Sequence, residues 1–110
     1  MKMIFVITML AFTSLASAST IFDCTSPDGM WIQATVDVID EHNYEVSLRN
    51  EYAEMPVHQK QILFDESGEM VAIEASALWE SFSIHKSENN WIGEYWYDNS
   101  HSFLICKEMK

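Results

Sequence analysis

Two cysteines, one near each end of the chain, constrain the fold more than any other feature of the sequence. Cys24 and Cys106 are the only cysteines among 110 residues, and an even count in an exported chain favours a disulfide over free thiols. A disulfide requires Cα atoms within about 7 Å of each other. The first and last strands are therefore predicted to lie side by side, as they would in a sheet that curls on itself.

The first 18 residues have the features of a secretory signal peptide. Lys2 gives a positive start, residues 3–15 are apolar and uncharged, and small residues lead up to Ala18. We expect cleavage after Ala18, which leaves a single 92-residue domain (19–110). The sequence thus predicts a periplasmic or secreted protein.

Neither a membrane anchor nor a nucleic-acid partner is expected. The apolar run is too short for a spanning helix, and Asp23 occupies the position before Cys24 where a bacterial lipid-attachment motif requires a small residue. Without Lys2, the chain has five basic residues against 17 acidic ones, a formal net charge of −12. Such a charge repels nucleic acids and anionic membranes and attracts a basic partner, although it could also be a solvated coat that keeps the protein soluble.

Period-two alternation of apolar and polar residues runs through the mature chain. In residues 30–38, for example, the even positions from Ile32 to Val38 are apolar and share one face, which is typical of a half-buried strand. Turn signals separate these runs, so we predict a small antiparallel up-and-down β-barrel of about eight short strands. Residues 50–61 are predicted to be a loop, and a short helix in residues 72–79 is the main alternative to a strand. The predicted strands are 21–24, 30–38, 44–49, 61–65, 70–75, 81–85, 91–97 and 101–106.

The aromatic strand 91–97 leaves open which of its faces is buried. The odd positions are nearly all aromatic, whereas Ile92, Glu94 and Trp96 occupy the even face. We expect the odd face to fill the barrel, with Trp96 packed under a loop, because large aromatic residues dominate small cores. The alternative is that one of these rings lies exposed in a binding patch. Gly93 between bulky neighbours indicates a bulge or the close approach of another backbone.

Acidic residues and tyrosines concentrate around the second predicted hairpin. Tyrosines anchor many protein interfaces, and a focused negative potential speeds the capture of a basic partner. This region is therefore a possible binding surface, together with the potentially exposed Trp96, although a solvated charged rim would have the same composition. Its residues are Asp40, Glu41, Tyr44, Glu45, Glu51, Tyr52 and Glu54.

No motif in the sequence indicates catalysis, a metal ion or a cofactor. The four histidines fall in separate predicted turns or strand ends, without the spacing of a metal pair. There is no Gly-x-Ser-x-Gly elbow, no Cys-x-x-Cys and no glycine-rich phosphate loop. We therefore predict a protein that is not an enzyme and binds either a small apolar ligand or another protein, with no prediction of its oligomeric state. A small hydrolase with its residues in loops is one alternative.

The layout of the chain resembles the periplasmic inhibitors of c-type lysozyme. The shared features are a signal peptide, about ninety mature residues, early and late cysteines joined across a barrel, and an aromatic strand before the last cysteine. That family has a Ser-Gly-x-x-Tyr stretch, whereas Ser67-Gly68 is followed here by Glu69-Met70-Val71, and no tryptophan precedes a Lys-Gly pair. The resemblance implies an acidic inhibitor of a basic hydrolase as the other alternative function, without assigning inhibitory residues.

Overall fold

The computed structural model describes residues 19–109, so the predicted signal peptide lies outside the described residues. These residues form a single antiparallel sheet without any helix, which confirms the predicted all-β class. The segment 72–79 completes a strand and then bends into the next one. The nine strands are β1 (Ser19–Thr25), β2 (Trp31–Asp40), β3 (Asn43–Asn50), β4 (Glu54–Met55), β5 (Gln59–Phe64), β6 (Met70–Ser76), β7 (Glu80–Ser87), β8 (Asn90–Tyr97) and β9 (Ser100–Met109).

The terminal strands β1 and β9 pair with each other and carry the disulfide. Cys24 and Cys106 are direct cross-strand partners with Cα atoms 4.0 Å apart, and their sulfur atoms are bonded. Every other pair of neighbours in the sheet is consecutive along the chain, in the order β4-β3-β2-β1-β9-β8-β7-β6-β5. The predicted disulfide and the predicted meeting of the chain ends are both confirmed.

The sheet is a curled half-barrel that opens on the side opposite the termini. Strands β4 and β5 are its two edges and do not pair with each other. Pro56 directly follows the two-residue strand β4 and has no N–H to donate to a neighbouring strand, which favours an edge at this point. The prediction of a loop at 50–61 is therefore wrong in part, because this segment contains the last residue of β3, the short strand β4 and the start of β5.

One face of the curled sheet is the hydrophobic core. Alternation places Ile32, Ala34 and Val36 inside, as the period-two pattern predicts. On β8 the odd positions Trp91 and Tyr95 are buried, whereas Tyr97 at the end of the strand is 54% exposed. The expectation that the odd face fills the interior is therefore confirmed except at Tyr97. The other buried apolar residues are Phe22, Cys24, Val46, Leu48, Met55, Ile62, Ile73, Ala75, Phe82, Ile84, Leu104 and Cys106.

Gly93 marks a close approach between β7 and β8. It pairs with Ile84 on β7, and a Cβ atom added to Gly93 would lie 1.8 Å from the carbonyl oxygen of Ser83. A side chain at this position would collide with backbone rather than with a flexible side chain. The glycine therefore permits the tight β7–β8 contact, in agreement with the close approach predicted from its bulky neighbours.

Candidate functional site

The predicted acidic surface is spread along both ends of β3. Asp40 is the last residue of β2 and Glu41 lies in the β2–β3 turn. The Asp40 carboxylate accepts hydrogen bonds from the backbone N–H groups of His42 and Asn43, at 2.7 and 2.9 Å. Hydrogen bonds from the Asn43 side chain and then from the His42 N–H hold the pKa of Asp40 below its usual value. Asp40 is thus a turn-stabilising residue in this structure.

Three further residues of the predicted surface lie after the end of β3. Glu51 and Tyr52 are in the β3–β4 turn, and Glu54 is in β4. The two turns are roughly 23 Å apart, since β3 rises about 3.3 Å per residue between them. Tyr52 is 86% exposed. The structure therefore does not gather these residues into one compact cluster.

Tyr44 and Glu45 connect β3 to β5 across the opening of the half-barrel. The Tyr44 hydroxyl accepts a hydrogen bond from the backbone N–H of Ile62 at 3.1 Å, and its ring lies 6.5 Å from that of Phe64. Glu45 forms an ion pair with Lys60, with an Nζ–Oε1 distance of 3.0 Å. Side chains thus connect the edge strand β5 to β3, the strand next to the short edge strand β4, although no backbone ladder joins them.

An open groove of about 940 Å³ runs along this side of the sheet. Most of its lining is polar, in contrast to the apolar interior that a carrier of apolar ligands would need. Its residues are Tyr44, His58, Gln59, Lys60, Gln61, Glu74, Ala75, Ser76, Ser81, Phe82 and Ser83.

The outer face of β8 and β9 carries four apolar side chains at neighbouring positions. Ile92 is the cross-strand partner of Ile105, and Trp96 is the partner of His101. Phe103 lies between His101 and Ile105 on the same face of β9. Trp96, Phe103 and Ile105 are 43%, 55% and 61% exposed. We call Ile92, Trp96, Phe103 and Ile105 the outer patch.

Trp96 is held in place by contacts on this face. Its ring stacks on the His101 imidazole, with centroids 4.4 Å apart and an angle of 25° between the planes. His101 Nε2 in turn lies 3.1 Å from a carboxylate oxygen of Glu94. The expectation that Trp96 packs under a loop is therefore wrong, because its ring lies on the outer face of the sheet and is 43% exposed.

The outer patch continues into a small pocket at one end of the sheet. The bend between β6 and β7 exposes Leu78 and Trp79, and Trp79 is 70% exposed. The backbone N–H of Asp98 donates a hydrogen bond to the carbonyl oxygen of Trp79 at 2.8 Å, which joins this bend to the β8–β9 turn. The pocket between them, here called the end pocket, has a volume of about 290 Å³ and is lined by Ser76, Ala77, Leu78, Trp79, Glu80, Ser81, Trp96 and Asp98.

Glu80 connects the end pocket with the core. Burial first, and then the negative charge of Glu80 and a hydrogen bond to its carboxylate, raise the pKa of the Tyr95 hydroxyl well above its usual value, so Tyr95 stays neutral. Glu80 shares a face of β7 with the buried Phe82, whereas Ser81, the partner of Trp96, lies on the opposite face. Within the described residues, Glu80 Oε2 is buried on the core side and has no hydrogen-bond partner of its own.

Of the outer patch and end pocket, sequence reasoning identified only Trp96 as a candidate. Phe103, Ile105 and the exposed bend at Leu78 and Trp79 were not predicted. The sequence does contain a signal for Phe103 and Ile105. A disulfide that joins the ends of a small domain is expected to be buried, so Cys106 and the other even positions of β9 should face the core. The odd positions 103 and 105 should then face outward.

The described residues contain no group of three or more histidine, cysteine or acidic side chains close enough to hold a metal ion. Among residues 19–109 no helix has the length and apolar character needed to cross a membrane. Comparisons of the chain with models of known families, with characterised proteins and with solved structures found no match.

Proposed function

We propose that this chain is an exported, non-enzymatic binding module that binds another protein through the outer patch. The observation that carries the proposal is the position of Trp96, Phe103 and Ile105, which are large and exposed on the same face of β8 and β9, with Glu94 and His101 among them. Exposed large apolar side chains that are grouped on one surface and surrounded by polar residues are typical of interaction sites. Trp and Phe are also enriched where protein interfaces are fully buried.

Export is supported by two features. The first 18 residues have the composition of a signal peptide, and the disulfide between Cys24 and Cys106 favours an oxidising compartment. The mature protein would then fold in the periplasm or outside the cell.

A protein partner agrees with the structure better than a small apolar ligand does. The inner face of the sheet is occupied by side chains such as Phe22, Phe82 and Trp91, all nearly inaccessible to solvent. The larger groove is polar, whereas the exposed apolar surface lies on the outside of the sheet. A broad patch of this kind suits the surface of another macromolecule.

Charge favours a basic partner. The mature chain has a formal net charge of −12, because five basic residues stand against 17 acidic ones. A field of this sign speeds association with a cationic protein, and salt weakens that effect. Inhibition of a basic hydrolase such as c-type lysozyme is a second candidate function that the same charge supports.

Site-specific photo-cross-linking in the producing cells tests the proposal. A photoreactive phenylalanine analogue replaces Phe103 in the outer patch or, as the matched control, the exposed aromatic residue Tyr52 in the β3–β4 turn. We expect one discrete adduct with an envelope or secreted protein from position 103 and none from position 52. The yield of this adduct should fall at high salt.

Two results would contradict the proposal. One is an adduct only from position 52, which would favour the acidic surface around β3. The other is an adduct at position 103 whose mass is twice that of the chain, which would make the outer patch a contact between two copies. Lysozyme in the position-103 adduct would select the inhibitor function.

A further inference from the structure

We propose that the end pocket receives an arginine side chain of the basic partner. This inference rests on the proposed function, because it supplies the anchor by which the outer patch would recognise a protein. The pocket joins the outer patch through Trp96, which belongs to both. An arginine at the edge of an interface on the outer patch could therefore reach it.

The pocket combines aromatic rings with carboxylates. Trp79 and Trp96 supply the rings, while Glu80 and Asp98 supply the acids, and no lysine, arginine or histidine is among its lining residues. A cation over the face of a tryptophan is attracted by the ring's quadrupole, and arginine is found in this arrangement more often than lysine. The same pocket would repel an anion.

The exposed face of Trp96 favours a planar cation. His101 on β9 covers one side of the ring, whereas the cross-strand neighbour on β7 is the small residue Ser81. Space above a serine leaves room for a flat group to lie against the indole. A guanidinium is planar, weakly hydrated and stacks on aromatic faces, whereas an ammonium is a compact, strongly hydrated charge.

Glu80 adds negative charge beside the pocket without being the carboxylate that pairs with the arginine. It lines the pocket, but it shares a face of β7 with the buried Phe82, whereas Ser81 and its partner Trp96 lie on the opposite face. Its carboxylate also hydrogen-bonds with the Tyr95 hydroxyl on the core side. Asp98 in the β8–β9 turn is therefore the carboxylate that we expect to pair with the guanidinium, which offers five N–H donors in a fixed fork.

The tryptophans of the chain provide an internal control for a direct test. N-acetyl-arginine amide is titrated into the ¹⁵N-labelled protein, and the four indole N–H resonances are followed by NMR. We expect saturable shifts at Trp79 and Trp96. The indoles of Trp31 and Trp91 donate to Asp23 and Glu108, at 2.6 and 3.3 Å, away from the end pocket, and should not move.

Two variants test the rings and the charge separately. Asp98→Asn removes one carboxylate but keeps a residue type that tolerates the positive φ of 56° at this position, and it should weaken arginine binding about threefold. Trp79→Leu should weaken it about fivefold, because the cation loses a ring. Unchanged backbone resonances elsewhere would show that both variants fold.

Neutral probes define the results that would overturn the inference. N-acetyl-citrulline amide has nearly the same shape as the arginine probe but no charge, so equal shifts with both would exclude a cation site. Shifts at Trp79 and Trp96 with a neutral oligosaccharide and none with arginine would assign the pocket to sugars instead. If cross-linking from position 103 succeeds while the arginine titration fails, the inference is wrong and the proposed function still stands.

Discussion

Replacing Gly93 with alanine tests the close backbone contact between β7 and β8. The added Cβ would lie 1.8 Å from the Ser83 carbonyl oxygen and 2.7 Å from the Ile84 Cα atom. Ordinary contact begins near 3.4 Å, so the strands would have to separate by up to 3.4 − 1.8 = 1.6 Å. Both obstructing atoms belong to the backbone of β7, which cannot rotate out of the way.

The expected loss of stability for Gly93→Ala is about 3 kcal/mol. Overpacking costs about 1 to 3 kcal/mol, and a weakened ladder hydrogen bond beside it adds about 1 kcal/mol more. Urea denaturation followed by tryptophan fluorescence measures the free energy of unfolding. In a domain of about ninety residues, this loss corresponds to a decrease in Tm of at least about 12 °C.

Gly68→Ala is the matched control. Gly68 has a φ of +86° and no atom within 4 Å of its would-be Cβ, so only backbone strain of about 1 to 2 kcal/mol opposes the alanine. A Gly93→Ala protein less affected than Gly68→Ala, or within 1 kcal/mol of wild type, would refute the close β7–β8 contact.

Three further predictions concern the disulfide, the opening of the half-barrel and a turn. Replacing Cys24 and Cys106 together with serine should lower the free energy of unfolding by about 4 to 5 kcal/mol in the chain-entropy model, since the bond spans 82 residues; a loss below 1 kcal/mol would contradict it. Tyr44→Phe should cost about 1 kcal/mol and speed hydrogen exchange of the β5 amide that the hydroxyl accepts from, and unchanged exchange would count against that contact. In the turn after β5, hydrogen bonds to the Asp65 carboxylate, first from the Ser67 hydroxyl and then from the backbone N–H of Glu69, hold the pKa of Asp65 below its usual value of 3.8. The ionised carboxylate therefore stabilises the folded state above pH 3.8, and this stabilisation is lost as the pH falls through the lowered pKa. Asp65→Asn should be less stable than wild type at neutral pH but not in strong acid. A stability difference that does not change with pH would show that the ionised Asp65 carboxylate is not its cause.

The sequence predicts the fold well because its strongest signals are local. The alternation of apolar residues sets the strands, and two cysteines bring β1 and β9 together. The position of the opening depends on long-range pairing, which alternation does not encode. Pro56 after a two-residue strand is the local feature that would have indicated an edge there.

The candidate site is less accessible to sequence reasoning. In the strand 91–97 the buried face is predicted correctly, but bulky residues on both faces leave the exposure of Trp96 undecided. The outer patch becomes visible only when register places Phe103 and Ile105 beside β8. In the end pocket, a backbone hydrogen bond between two turns brings Trp79 and Asp98 together. The spacing of residues in the sequence does not predict such a contact.

The measurement that tests the central claim most directly is the affinity of two matched variants for the protein captured by cross-linking. Phe103→Thr removes an aromatic ring from the outer patch, and Tyr52→Thr removes an exposed ring from the acidic surface around β3. Isothermal titration should show binding at least about tenfold weaker for Phe103→Thr, as for a residue at the centre of an interface, and within about twofold of wild type for Tyr52→Thr. The reverse order, or equal affinities for all three proteins, would contradict a binding role for the outer patch.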